Sequence, residues 1–231
     1  MRIVLIDTAG VPLFVGLVVE GKLVESIRIE SGHAVATLHS MLLDLLTRCG
    51  LELRDIDQFA VVSGPGNWTG VNVAVVAAKM LALSLGTPLL ILSRMQALID
   101  CAAKEWETGT ALIGCGRVNV FCAFFGGEHG PRQTAGSVSL RKSLDEVRTY
   151  LMSGGGAHIV VLKSDAMICS DLDLTGANEA CFVSYDALVS AYLDQIGAGA
   201  AKLLMGAEIH LALPDYAGAD QTINTSPGSF R

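Results

Sequence analysis

The run from Val61 to Ser93 limits what this chain can fold into. It begins with Val61-Val62-Ser63 and passes through Gly64-Pro65-Gly66-Asn67-Trp68-Thr69-Gly70. An almost uncharged segment then leads to Leu85, followed by Gly86-Thr87-Pro88 and Leu89-Leu90-Ile91-Leu92-Ser93. The order predicts strand, tight loop, buried helix, stop and strand. Gly64 and Gly66 open backbone conformations closed to other residues, and Pro65 stiffens the loop between them. Asn67 or Thr69 can cap the helix, Gly86 can end it, and Pro88 prevents its resumption. Lys79 is the single charge between Gly70 and Leu85, so most faces of this helix are expected to be covered. Gly70, Ala74, Ala78, Ala82 and Gly86 recur every fourth residue. A step of four overshoots one helical turn by about 40°, so this small-residue stripe winds slowly round the helix.

The flanking sequence extends the pattern. Residues 2–7 are apolar, as in a central strand. Pro12–Val19 and Lys22–Ile29 are predicted strands joined by the turn Glu20-Gly21. Val35, Leu38, Leu42, Leu45, Leu46 and Cys49 mark an amphipathic helix after His33, with Met41 outside the stripe. Gln58–Ser63 is a fourth strand. Three hairpin-linked strands followed by helix, strand, helix and strand predict a mixed five-stranded sheet with right-handed crossovers. Further on, residues 94–104 are predicted helical and residues 110–125 form two strands meeting near Gly114-Cys115-Gly116. Gly126–Pro131 is a loop. Ser143-Leu144-Asp145-Glu146 has capping-box spacing before a helix to Met152. Gly154–Gly156 is flexible, His158–Leu162 is a strand, and Ser184 caps a long helix from Tyr185 to about Met205. The expected organisation is an N-terminal lobe, 1–100, a C-terminal lobe, 101–213, and a loose tail, 214–231. The second lobe is a candidate for an eroded copy of the first.

With 231 residues the chain can bury a large core. Hydrophobic residues make up 51% and charged residues 17%, so a partner is expected to cover part of the surface. No run is expected to span a bilayer, since Val71–Leu85 is short and contains Lys79. The start on a strand predicts no signal peptide, and hence a cytoplasmic protein in which Asn67-Trp68-Thr69 and Asn224-Thr225-Ser226 match the glycosylation pattern by chance. The net charge of −7 makes a poor stand-alone ligand for nucleic acid. The six cysteines contain no C-x-x-C pair and are expected to be reduced, mostly buried thiols.

Gly64-Pro65-Gly66-Asn67-Trp68-Thr69-Gly70, the small apolar helix with its single lysine, the opening Arg2-Ile3-Val4-Leu5-Ile6-Asp7-Thr8, and His33 before an amphipathic helix resemble the bacterial TsaB (YeaZ) family. The resemblance covers residues 1–100. It implies an α/β fold of the actin-like, ribonuclease H-like ATPase superfamily, with two lobes that each hold a mixed sheet flanked by helices. It implies an accessory subunit, without activity or cofactor of its own, for threonylcarbamoyladenosine formation in tRNA. The implied partners are a catalytic TsaD-like paralogue and a small TsaE-like ATPase, with a homodimer when alone and tRNA met only through the complex.

Candidate sites follow from these motifs. Asp7 and Thr8 stand where kinases of the superfamily place a metal-linked aspartate and a phosphate hairpin, yet Pro12 lacks an N–H, so a structural remnant is favoured. Gly64, Pro65 and Gly66 fit either an anion at a helix N-terminus or a tight turn; without lysine or Walker spacing the turn is favoured. The resemblance implies a His-x-x-x-His metal pair in the catalytic paralogue. Ser93 and Ala97 occupy those positions here and cannot replace imidazole, so no metal is expected. His33, Met41, Ala74, Ala78, Lys79 and Ala82 are the candidate interface residues. Lys79 has two readings, a snorkelling edge lysine or a salt bridge to a partner. Arg117 matches the arginine of a family Asp-Ala-Arg segment, but Cys115, Gly116 and Asn119 depart from its pattern. Pro214-Asp215-Tyr216 loosely echoes a C-terminal Pro-x-Tyr. The alternatives to the accessory role are a self-associating pseudoenzyme, a small-molecule kinase of the same fold, and a metallopeptidase, against which Ser93 and Ala97 argue.

Overall fold

The computed structural model describes residues 1–30, 33–116, 118–126, 140–152, 158–172, 179–199 and 201–215. The predicted elements at Gly127–Pro131 and Gly154–Gly156, together with Arg117 and the tail from Tyr216, lie outside these residues.

The first sheet is built from β1 (Arg2–Asp7), β2 (Leu13–Val19), β3 (Lys22–Ile29), β4 (Gln58–Val62) and β5 (Leu89–Leu92). Their order is β5-β4-β1-β2-β3. β1, β4 and β5 run parallel, while β1, β2 and β3 form antiparallel hairpins. Residues 3–7 are buried without alternation, as expected for a strand covered on both faces.

Helix α1 (Ala34–Cys49) packs on β2 and β3, and α2 (Trp68–Leu85) packs on β4 and β1. The two helices also pack on each other, forming one outer layer. Asn67 caps α2 by accepting the Gly70 N–H at 3.0 Å. Gly86 ends it in the left-handed conformation at φ 66°. Because α2 starts at Trp68, its 18 residues with mean hydropathy 1.5 reach the length and apolarity of a membrane span. The sequence expectation that no run does so is corrected. One face of the helix lies in the core of this domain, where Ala74, Val75, Ala78 and Ala82 are buried, which accounts for much of that apolarity.

The second sheet repeats the first. It comprises β6 (Gly109–Cys115), β7 (Asn119–Phe125), β8 (Leu140–Ser143), β9 (His158–Leu162) and β10 (Glu179–Val183), in the order β10-β9-β6-β7-β8. Its pairings match those of the first sheet one for one: two antiparallel hairpins, then two parallel pairs. The strands β8 and β10 have no counterpart in the sequence reading. Between the sheets lie α3 (Arg94–Ala102), packed on β6, β9 and β10, and α6 (Tyr185–Gly197), packed on α3 and β5. On the far side of the second sheet, α4 (Leu144–Met152) and α5 (Met167–Asp171) bury Val147, Leu151, Ile168 and Leu172. The capping box at the start of α4 is present: Ser143 N donates to Glu146 Oε2 at 2.8 Å, and Glu146 N donates to Ser143 Oγ at 3.2 Å.

The chain after residue 200 departs from expectation. Helix α6 stops at Gly197 rather than near Met205, and β11 (Lys202–Leu204) adds antiparallel to β5 as the sixth strand of the first sheet. Asp215 N then donates to Ser63 O at 2.6 Å. Residues 202–215 therefore belong to the first lobe in space, which corrects the division into 1–100 and 101–213.

Candidate functional site

The duplication sets two equivalent turns face to face. One follows β1 and contains Ala9, Gly10 and Val11; the other follows β6 and contains Cys115 and Gly116. Together with the loops after β4 and β9 they enclose a cleft of about 630 Å³. A smaller cavity of about 230 Å³ lies on the other side of Gly10 and Val11 and reaches Thr8, His33 and Thr69.

The loop Gly64–Gly70 is shaped by its contact with the first turn. A Cβ on Gly66 would overlap the carbonyl oxygen of Ala9, and one on Gly70 would overlap that of Thr8. Only glycine allows these backbones to approach so closely. Asn67 N donates to Ala9 O at 2.6 Å, and Thr8 Oγ1 donates to Gly70 O at 2.6 Å. Asn67 Oδ1 takes the Gly70 N–H. The Asn67 and Gly70 N–H groups, two of the donors that a phosphate loop would aim at an anion, are thus bonded within the chain, which favours the tight-turn reading of Gly64, Pro65 and Gly66. Gly64 O accepts the Arg94 N–H at 2.8 Å and joins this loop to α3.

Asp7 is fully buried at the end of β1. Its Oδ1 accepts the Ala9 N–H at 2.9 Å; its Oδ2 accepts the phenols of Tyr185 at 2.8 Å and Tyr192 at 3.2 Å. Burial, and then the charge of Asp7, push both phenols well above the ordinary tyrosine range. Arg94, at 2% exposure, lines the cleft. Burial disfavours its charge, but Asp7, Tyr192, Tyr185 and Asp165 more than offset this, and the guanidinium is held above its ordinary value. Asp165, after β9, accepts the Gly114 N–H at 3.1 Å.

The metal pair that the resemblance assigns to the catalytic paralogue does not fit the residues present. Ser93 Oγ accepts the Gln96 N–H at 3.2 Å and caps α3, while Ala97 is fully buried. Neither side chain is an imidazole, carboxylate or thiolate able to take a metal at that place. Among the described residues, no group of three or more His, Cys, Asp or Glu side chains could hold a metal ion.

Several interface candidates are corrected. Met41, Ala74, Ala78 and Ala82 are buried inside the chain, because the small face of α2 lies against the sheet and α1. Lys79 Nζ donates to His210 O at 3.0 Å and Ala212 O at 2.9 Å, tying the 3-10 segment Gly206–Leu211 to α2. His33 is exposed at the start of α1, and its carbonyl accepts Thr37 Oγ1 at 3.0 Å. The outward residues of this layer are instead Val35 and Leu43 on α1 and Val76 and Met80 on α2, of which Leu43, at 50%, is the least exposed.

Sequence reasoning missed Arg94, Asp165, Tyr185 and Tyr192. Only Arg94 left a trace, as a cation directly after an apolar strand. The six cysteines are free, and burial pushes the Cys101 and Cys122 thiols up to about 11.

Comparison with known proteins follows the same lines. The family model described as "TsaD: tRNA N6-adenosine threonylcarbamoyltransferase" matches residues 28–196. The tRNA threonylcarbamoyladenosine biosynthesis protein TsaB of Bacillus subtilis is 32% identical over 103 residues, 42% of this chain and 43% of that protein. TsaB of Escherichia coli is 32% identical over 105 residues, 46% of each. The chain thus spans less than half the length of these curated relatives. The structure of YeaZ from Pseudomonas aeruginosa superposes with a TM-score of 0.64 at 22% identity, covering 93% of this chain and 100% of that one. A second structure from that organism, described by its similarity to peptidase YeaZ, gives 0.65 at 23% identity, covering 94% and 99%. The likeness to these structures shows that the fold is shared, with two mixed sheets and flanking helices. The chain belongs to the TsaD family, and it is similar to TsaB and YeaZ proteins.

Proposed function

We propose that this protein serves threonylcarbamoyladenosine formation in tRNA as an accessory subunit without transfer chemistry of its own, and that it docks on a TsaD-like catalytic partner. The observation that carries this reading is the outer face of the α1–α2 layer. Val35, Leu43, Val76 and Met80 are all at least half exposed there, on two helices packed side by side. An apolar face of this kind on a helical layer suits a helix-to-helix contact with another folded subunit. The names of the TsaB relatives support the pathway. The use of Ser93 as a helix cap and Ala97 as core supports the absence of transfer chemistry. A TsaE-like ATPase joins the complex, and the same helical face forms a homodimer when the partner is absent. The net charge of −7 leaves tRNA contacts to the complex as a whole, in the cytoplasm.

The test is co-purification with the TsaD homologue of the same organism. The double variant Val76→Glu, Met80→Glu should keep its circular dichroism spectrum and lose the partner. A complex that survives both charges would remove this face from the proposal.

A further inference from the structure

We propose that the cleft between the two lobes binds a small carboxylate, gripped by the Arg94 guanidinium, whose hydroxyl or ammonium group turns toward Asp165. This goes beyond partner docking and does not depend on it.

Arg94 is a buried cation whose donors are poorly used. Its Nε has no hydrogen-bond partner among the described residues. The guanidinium lies against the Gly10 backbone, where a Cβ would overlap Nη1 and Nη2. A guanidinium carries five N–H donors and no acceptor, so burial without oxygen acceptors is costly. Asp7 acts on Arg94 by its charge, while its hydrogen bonds come from Ala9 N, Tyr185 and Tyr192. An arginine at 2% exposure in the wall of a 630 Å³ cleft therefore faces space in which oxygens are wanted. The volume falls in the range of about 300–1,000 Å³ that small-molecule sites occupy.

Charge selects among oxyanions. Among the described residues the wall holds one cation, Arg94, and the carboxylate of Asp165, and the charge of Asp7 also acts on Arg94. Two negative groups against one positive disfavour a doubly charged phosphate. The loop donors at Asn67 and Gly70 that would favour phosphate are already bonded. A single carboxylate matches the planar fork of arginine. Asp165 has one oxygen on the Gly114 N–H and retains acceptor capacity for a ligand donor. Ile113 and Phe121 offer an apolar wall for a short carbon skeleton.

The experiment is an NMR titration of the Arg94 Nε–H resonance in the full chain with glycolate, glycine, acetate and inorganic phosphate. Glycolate or glycine should give a saturable shift with a dissociation constant in the millimolar range or below; acetate should bind more weakly, and phosphate weakest. Arg94→Gln should abolish saturation. Asp165→Asn, which keeps an oxygen for Gly114, should weaken glycine binding about tenfold and, because it removes a negative charge from the wall, should not weaken acetate binding. If Arg94→Gln does not fold, the titration of the unaltered protein and of Asp165→Asn decides. The proposal is overturned if no carboxylate gives a saturable shift, if phosphate binds tightest, if a folded Arg94→Gln binds as before, or if Asp165→Asn leaves glycine binding unchanged.

Discussion

The phenol of Tyr185 donates a 2.8 Å hydrogen bond to Asp7 across 178 positions of sequence, and Tyr192 donates to the same carboxylate oxygen at 3.2 Å. The start and middle of α6 are thereby pinned to the end of β1. A buried bond to a charged acceptor is worth about 1.5–3 kcal/mol. Tyr185→Phe should lower the unfolding free energy by about that amount, and Tyr192→Phe, with the longer bond, by less. Urea unfolding of the two variants measures both. Equal and negligible losses would show that Asp7 is satisfied without them.

The same pair sets an alkaline limit. Both phenols have folded values well above the ordinary tyrosine value, chiefly from burial. An unfolded tyrosine loses its proton near pH 10, roughly. Stability from this pair is therefore fully present below about pH 10 and is lost as pH rises beyond it, because only the unfolded chain gains by ionising. Tyr185 and Tyr192 are two of the four tyrosines. Phenolate absorbance should show them titrating only together with the loss of circular dichroism. Reversible ionisation of all four in the folded protein would contradict this.

Gly70→Ala should be costly despite the helical position, where alanine is normally favoured. The added Cβ would overlap the Thr8 carbonyl oxygen, and Thr8 itself bonds to Gly70 O at 2.6 Å. Relief requires the β1–β2 turn to move away from α2. The expected loss is about 1–3 kcal/mol from overpacking, with perturbed NMR shifts at Ala9 and Gly10 along the cleft. A thermal midpoint equal to that of the unaltered protein would show that the turn yields freely.

Ala78→Arg should unfold or severely destabilise the chain rather than release a folded monomer. Ala78 is fully buried on the sheet side of α2. The substitution adds bulk and an unpaired charge, at a cost of about 3 kcal/mol or more. Circular dichroism with light scattering separates the outcomes. A folded monomer would return Ala78 to an outer interface.

Local signals were enough for much of the first lobe. The apolar runs and turns placed β1 to β5, and the caps Asn67, Gly86, Ser143 and Ser184 placed helix ends, because a cap acts on backbone groups within a few residues. The sequence by itself also showed the loop Gly64–Gly70 to be a special backbone, through its glycines, but its expectation that most faces of α2 are covered is corrected, since burial is confined to the small face with Gly70, Val71, Ala74, Val75, Ala78 and Ala82. It could not orient α2. A helix of mean hydropathy 1.5 has no polar side to reveal the outward direction, and only packing against β4 and α1 turned Ala74, Ala78 and Ala82 inward and Val76 and Met80 outward. Tertiary structure alone decided that α6 ends at Gly197, because Lys202–Leu204 complete the open edge at β5 with hydrogen bonds that a longer helix would forgo. It alone brought Tyr185, Tyr192 and Arg94 around Asp7. Such a cluster depends on the crossing of elements far apart in the chain, which local propensity and periodicity do not encode.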